Sequence, residues 1–309
     1  MSLTTALSLG QTALELGLIC SLTVLALFLS YSMLNVCDLS TDGCFTLGAT
    51  VGATVALAGH PFLSLPAAMA AGILSGFITA LLQTRMGVDS LLAGIIVNTG
   101  LYSVNIGVMG GSSLLNLNKA ETVYTYGKDL VKDTPLQGKQ TLIVALAAVA
   151  LVVIFLTLFL NTRLGLAIRA TGNNPDMVRS SSINPIFTTT VGLCVANAFT
   201  GLSGCLLAQS QKSADINIGT GMVTIALASL LIGETFLGHG GIGRRAIGVV
   251  IGSFIFRLVY TIALRFNMPA FMLKLVSSII VIIAISGPYL KKQWPILCRR
   301  FGWAQKGGR

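Results

Sequence analysis

Apolar and polar positions along this chain come in long blocks, not at the two-residue period of a strand or the single stripe of a surface helix. Charge-free runs cover residues 16–37, 43–84, 90–118, 140–162, 180–211 and 216–233. A helix needs about 20 apolar residues to cross ~30 Å of hydrocarbon, so the runs are of membrane-spanning grade. The 43–84 run is long enough for two crossings and is interrupted at GHPFLSLP, where Gly59, Pro61 and Pro66 predict a turn between helices. Two further apolar stretches, about 246–265 and 270–289, contain isolated basic residues. The pattern predicts an all-α, polytopic transmembrane helical bundle of about nine spans. Eight and ten are the alternatives, because short re-entrant helices are hard to count from hydropathy. Residues 1–309 read as one transmembrane domain with no separate soluble unit.

Composition agrees. Hydrophobic residues make up 54% of the chain, charged residues 10%, and the mean hydropathy is +0.84, against roughly 25% charged residues in soluble domains. The net charge of +10 does not point to nucleic acid, because its placement follows topology. Residues 1–84 contain no Lys or Arg, and no basic segment precedes the first apolar run, so no cleavable signal peptide is expected. Arg85, the group Arg163, Arg169 and Arg179, the pair Arg244 and Arg245, and the basic tail at 290–309 all fall on one face under strict alternation. By the positive-inside rule that face is cytoplasmic. The loop at 110–139 falls on the opposite, exterior face, and its four Lys are nearly balanced by three acids. On a nine-span count the amino terminus is exterior.

Six cysteines are scattered without a CxxC pair, so neither a disulfide frame nor a metal site is expected. GxxxG spacings at Gly48 and Gly52, Gly72 and Gly76, and Gly248 and Gly252 predict close helix packing inside one subunit. DLSTDGCFTLGATVGA and DINIGTGMVTIALAS share an Asp-led opening followed by Gly and an apolar helix, which hints at an internal inverted repeat.

One segment breaks the apolar rule. Residues 163–185, ending in RATGNNPDMVRSSSINP, are polar and carry helix signals of their own. Thr171 or Asn173 can cap a short helix, Pro175 suits its first turn, and Asp176 puts negative charge at the positive end of the helix dipole. That helix is expected to end near Ser181, with Asn184-Pro185 opening the next span. The product is a short cytoplasmic helix held at both ends by membrane spans.

Ionisable groups at membrane depth are functional candidates by default. Glu234 and Arg257 stand out. At 1.5 Å per residue they lie roughly 10 Å and 18 Å from the inner end of adjacent antiparallel helices, near enough for long side chains to bridge. They read either as an ion pair holding two helices in register, as separately snorkelling groups, or as part of a pathway. Asp38, Asp42 and Asp215 lie where spans begin, so capping is their first reading. Neutral polar residues give a candidate lining for a path: Thr46, Asn98, Thr99, Asn105, Asn197 and Thr200. They read equally well as hydrogen-bonding glue between helices. No obvious polar pocket is visible in the sequence.

GNNPDMVRSSSIN, followed by GLCVANAFTGLSGCLLAQSQ and GTGMVTIALASLLIGETFLG, resembles the carboxy-terminal half of the membrane permeases of ATP-binding cassette importers, in the branch serving ribose and branched-chain amino acids. LNVCDLSTDGCFTLGA resembles that branch's corresponding entry segment, and GVDSLLAGIIVNTGLYSVNIGVMGG its central span. AGIIVNTGLYS and IALASLLIGETFLG look closest to the subgroup described as tryptophan, tyrosine or related amino-acid uptake permeases. The resemblance implies a bacterial inner-membrane, multi-pass permease importing an amino acid, aromatic or branched-chain, by alternating access, with a sugar or nucleoside as the alternative cargo. It implies a coupling helix made of Gly172, Asn173, Asn174, Pro175, Asp176, Arg179, Ser182 and Asn184. It further implies a separate cytoplasmic ATPase holding ATP and Mg, a second permease subunit with a homodimer as the leading expectation, and an extracytoplasmic solute-binding protein docking near the 110–139 loop. The chain departs from the family at Ser182, where a Gly is usual before the Ile/Leu-Asn, and its loop is about one residue longer than in ribose members.

The chain has no GxxxxGK[ST] phosphate loop, in keeping with an ATPase on another polypeptide and no cofactor in this one. Two other classes fit less well. A stand-alone secondary transporter needs buried acids for ion coupling, and the capped cytoplasmic helix would lack a purpose. An enzyme needs clustered acid-base or nucleophilic groups, and His60 and His239, the two histidines, stand apart.

Overall fold

The computed structural model describes residues 3–130, 140–237 and 240–265, with a few isolated positions between 275 and 286. The expected ninth span at 270–289 and the tail at 290–309 therefore lie outside the described residues, as does 131–139 of the exterior loop. Within the described residues the chain is helical: α1 (Leu3–Leu27) continuing into a π-helix (Phe28–Met33), α2 (Thr41–Leu57), α3 (Pro61–Thr84), α4 (Ser90–Val108), α5 (Val123–Leu130), α6 (Gln140–Asn161), α7 (Arg163–Asn173), α8 (Pro175–Ser180), α9 (Pro185–Gln211), α10 (Met222–Leu237) and α11 (Ile242–Arg265). Six helices are long and apolar enough to cross a membrane: α1 with its π-helix, α3, α4, α6, α9 and α11. α10 is apolar but shorter, and α2 has 17 residues. The bundle is thus all-α and polytopic, as expected, with two short helices among the long ones.

α9 is the central post. Its relative burial is the highest of the six, with α1 next. α3 and α2 pack on it at near-backbone distance because both present glycines. A Cβ on Gly48 would lie 2.1 Å from the Gly201 carbonyl oxygen, and one on Gly72 would lie 2.2 Å from that of Asn197. Gly248 and Gly252 of α11 meet Gly233 and Ser229 of α10 in the same way. All three glycine spacings are spent on contacts within one chain. Lipid tails are as apolar as leucine, so such close approach and buried hydroxyls hold membrane helices together. Ser203 on α9 donates to the Ile19 carbonyl at 2.7 Å, and Ser253 on α11 donates to that of Gly17 at 2.8 Å.

Helix directions follow from these pairings. Gly48 and Gly52 face Gly201 and Cys205, so α2 runs parallel to α9, while Gly17 against Phe254 and Phe28 against Arg245 make α1 antiparallel to α11. α10 is antiparallel to α11, and therefore α2 and α10 run in opposite senses. These are the two helices whose Asp-led openings look alike in sequence.

One local expectation changes, and two features come from the structure alone. Pro66 lies inside α3, with only Pro61 at its start. Arg244 and Arg245 belong to the first turn of α11 and not to the preceding loop. The 110–139 loop contributes a strand: β1 (Leu114–Asn116) pairs antiparallel with β2 (Ser213–Asp215), with Leu115 opposite Ala214. α5 is tied to the outer end of α9, where Gln209 Oε1 accepts from Val123 N at 2.9 Å and the Tyr124 hydroxyl donates to Leu206 O at 3.2 Å.

Candidate functional site

Two regions concentrate the polar groups: an elbow at 163–185 and a cavity among α2, α4 and the segment before α10.

The elbow begins where Thr162 caps α7, its hydroxyl accepting from Gly165 N at 3.2 Å. Thr171 and Asn173 are both inside α7, so neither caps the short helix. The cap is Asn174, whose Oδ1 accepts from Asp176 N and Met177 N, each at 3.1 Å. Pro175 fills the first helical position, where a missing N–H leaves no bond unmade. α8 then runs to Ser180, one residue short of the expected end. Its outer face is exposed, with Met177 at 64%, while Val178 at 2% anchors the inner one. Asp176 and Arg179 pair at 3.7 Å with both side chains in solvent, an arrangement that adds little stability. Ser182 adopts φ +60°, a left-handed conformation costing roughly 1–2 kcal/mol for a residue with a Cβ. Asn184 caps α9 through Ile186 N at 3.0 Å.

The elbow is seated on the spans through α7. A Cβ on Gly172 would lie 2.1 Å from the Met33 carbonyl oxygen, at the end of the π-helix. Thr171 and Thr188 share a hydroxyl hydrogen bond of 2.8 Å that joins α7 to α9. The intramembrane charges lie close by. Glu234 does not meet Arg257. Its carboxylate accepts from Arg245 Nη2 at 2.6 Å and from the Ser32 hydroxyl in the π-helix. The Arg245 guanidinium also sits 5.2 Å from the centre of the Phe28 ring. Arg245, placed three residues into α11, turns back toward α10 and is nearer than the helical-rise argument for Arg257 allowed. Arg257 instead donates to Cys20 Sγ at 2.9 Å and lies 5.6 Å from the Tyr260 ring centre.

The cavity has a volume of about 310 Å³ and contradicts the expectation of no polar pocket. α2 contributes Asp42 and Thr46, α4 contributes Asn98, Thr99, Tyr102 and Asn105, and the segment after β2 contributes Asn217 and Thr220. Asn98 and Asn105 lie about 12 Å and 22 Å along α4 from its start at Ser90. Asp42 caps α10 from a distance of 179 residues in sequence: its carboxylate accepts from Gly221 N at 2.9 Å and Val223 N at 2.8 Å. The helix dipole and two N–H donors offset its charge.

Four of the six path candidates, Thr46, Asn98, Thr99 and Asn105, line this cavity. Asn197 and Thr200 do not. Asn197 donates to Asp38 Oδ2 at 2.8 Å, and Thr200 donates to Ala196 O at 3.3 Å inside α9. Asp38 is itself 2% exposed, so it is no water-facing cap, although its other oxygen does accept from Ser40 N at 2.8 Å. Asp215 closes a turn through Asn217 N at 2.6 Å. Among the described residues no cluster of three metal-ligating side chains occurs.

A polytopic helical bundle with a polar cavity between short, opposed helices and a capped elbow on its arginine-rich face has the form of a membrane transport subunit. Residues 11–285 match the family described as the permease component of branched-chain amino acid transport systems, and the chain belongs to that family. It is 30% identical over 267 residues to the tyrosine transport system permease protein of Clostridioides difficile strain R20291, covering 86% of each chain. It is 32% identical over 227 residues to the D-allose transport system permease protein of Escherichia coli strain K12, covering 71% of this chain and 64% of that one. Against the ribose import permease protein of the same strain the identity is 25% over 253 residues, covering 80% and 75%. No solved structure matches. The chain is a multi-pass inner-membrane permease of the ATP-binding cassette type, from a family that serves small solutes and works in general with an ATPase and a solute-binding protein.

Proposed function

We propose that this chain imports an amino acid, aromatic or branched-chain, by alternating access, driven by ATP and Mg bound in a separate cytoplasmic ATPase and fed by an extracytoplasmic binding protein. Two copies of the chain form the permease. The cargo class is supported by the 30% identity to a tyrosine permease over 86% of both chains. A sugar cargo is the second reading, supported by the 32% identity to the D-allose permease.

The observation that carries the coupling role is the seat of the elbow. α8 presents an exposed face to the cytoplasm, and α7 rests through Gly172 on the end of α1 and through Thr171 on α9. A push on α8 therefore reaches two membrane spans, one through the backbone contact at Gly172 and the other through the Thr171–Thr188 hydroxyl hydrogen bond. The four cavity-lining candidates form part of the solute's route.

Charge reversal at the exposed Asp176 tests the coupling. In the assembly reconstituted with its ATPase and binding protein, Asp176→Lys is expected to lower solute uptake per ATP hydrolysed while membrane insertion is unchanged. Unaltered coupling rejects the role given to α8.

A further inference from the structure

We infer that the cavity between α2 and α4 recognises the ammonium group of a zwitterionic amino acid, so that the permease itself selects its cargo. This rests on the cavity's being part of the route.

Thr46 spends its hydroxyl proton on Asp42 O at 3.1 Å, and Thr99 spends its own on Ile95 O at 2.8 Å. The Asn105 amide nitrogen donates to Gly43 O at 3.3 Å. Thr46 and Thr99 thus keep only lone pairs for the cavity, and Asn105 keeps its Oδ1 together with one N–H. Asn105 is 1% exposed and its Oδ1 has no hydrogen-bond partner, which favours a ligand that brings a donor. Asp42 is acceptor-only when ionised and has used two of its roughly four lone-pair sites. This side of the wall therefore sets the lone pairs of Thr46, Thr99 and Asn105 beside one carboxylate.

An ammonium group brings three donors and a positive charge, and bonds from a charged donor are roughly twice as strong as neutral ones. A sugar hydroxyl supplies a donor without the charge. A solute carboxylate must avoid Asp42 and finds donors in the Asn98 amide and the Tyr102 hydroxyl, one helical turn apart on α4. The arrangement suits a molecule that carries both groups and disfavours one that carries only the anion.

The test uses the full chain in lipid nanodiscs with the Thr99→Cys variant as reporter. Labelling by a membrane-impermeant thiol reagent is measured against the parent, with and without L-tyrosine, tyramine, 3-(4-hydroxyphenyl)propionate or D-allose. L-Tyrosine and tyramine are expected to slow labelling severalfold, and the propionate and D-allose to leave it unchanged. Adding Asn105→Leu, or in a separate variant Asp42→Asn, is expected to weaken protection by about tenfold in the concentration needed. Protection by the propionate equal to that by L-tyrosine, or rapid labelling that no probe slows, overturns the ammonium assignment alone. Absence of labelling at Thr99→Cys shows that the cavity is closed to water, and removes both this inference and the route on which it rests.

Discussion

Replacing Gly172 perturbs the joint between elbow and spans with little else nearby to confuse the result. An added Cβ lies 2.1 Å from the Met33 carbonyl oxygen and 2.8 Å from Leu34 Cα, whereas ordinary contact begins at 3.4 Å. The two surfaces must separate by about 1.3 Å, the difference between 3.4 and 2.1. Both obstructing atoms are backbone, so no rotamer change relieves them. Overpacking of this kind costs roughly 1–3 kcal/mol. Alanine recovers up to about 1 kcal/mol of helix propensity relative to glycine, leaving Gly172→Ala about 1 kcal/mol less stable. Gly172→Val recovers less and adds bulk, for about 2–3 kcal/mol. Gly107→Ala on α4 is the control, because nothing lies within 4 Å of its added Cβ. The assay is paired: thermal unfolding in nanodiscs, and solute uptake per ATP hydrolysed by the reconstituted assembly. Both Gly172 variants are expected to unfold earlier than the Gly107 control, in the order Val before Ala, and to lose uptake before ATPase activity. Parent-like behaviour of Gly172→Val in both assays refutes the seating of the elbow on α1.

Two further outcomes follow from the geometry. Ser182→Gly removes a left-handed residue with a Cβ, and is expected to stabilise the turn by about 0.5–1 kcal/mol, read as slower amide exchange across residues 177–186. Breaking the Glu234–Arg245 pair by Glu234→Gln is expected to cost about 2 kcal/mol, less than for a fully buried pair because about a quarter of each side chain is exposed. Exchange of the two charges should recover part of that loss in thermal unfolding, and Arg257→Gln should show no coupling to Glu234→Gln in a double-mutant cycle.

What was legible in the sequence is what is local. The spans declare themselves because hydrocarbon demands long apolar runs, and the Asn184-Pro185 opening of α9 and the polar elbow declare themselves through capping chemistry. Features that depend on which helix lies opposite were out of reach. Asn197 looks as polar as Asn98 in sequence, yet one is consumed by Asp38 and the other faces a cavity. The Arg245 partner of Glu234 is not legible because helical rise fixes depth along an axis and not the direction in which a long arginine side chain returns. Asp42 was read as a cap, correctly, but for a helix 179 residues away that no local rule could name. Three-residue strands leave no periodicity to find, and β1 and β2 went unforeseen. The likeness of the two Asp-led openings is a second sign of the cavity beside the polar residues of α4: those openings meet there, at helices running in opposite senses.

The central claim is that work done elsewhere enters the bundle through α7 and α8. Its most direct test is radiolabelled L-tyrosine uptake into proteoliposomes holding this chain alone, or the chain with its ATPase and binding protein, each with and without ATP and Mg. The account predicts accumulation only in the complete assembly with hydrolysable ATP. Accumulation by the chain alone, without nucleotide, contradicts it.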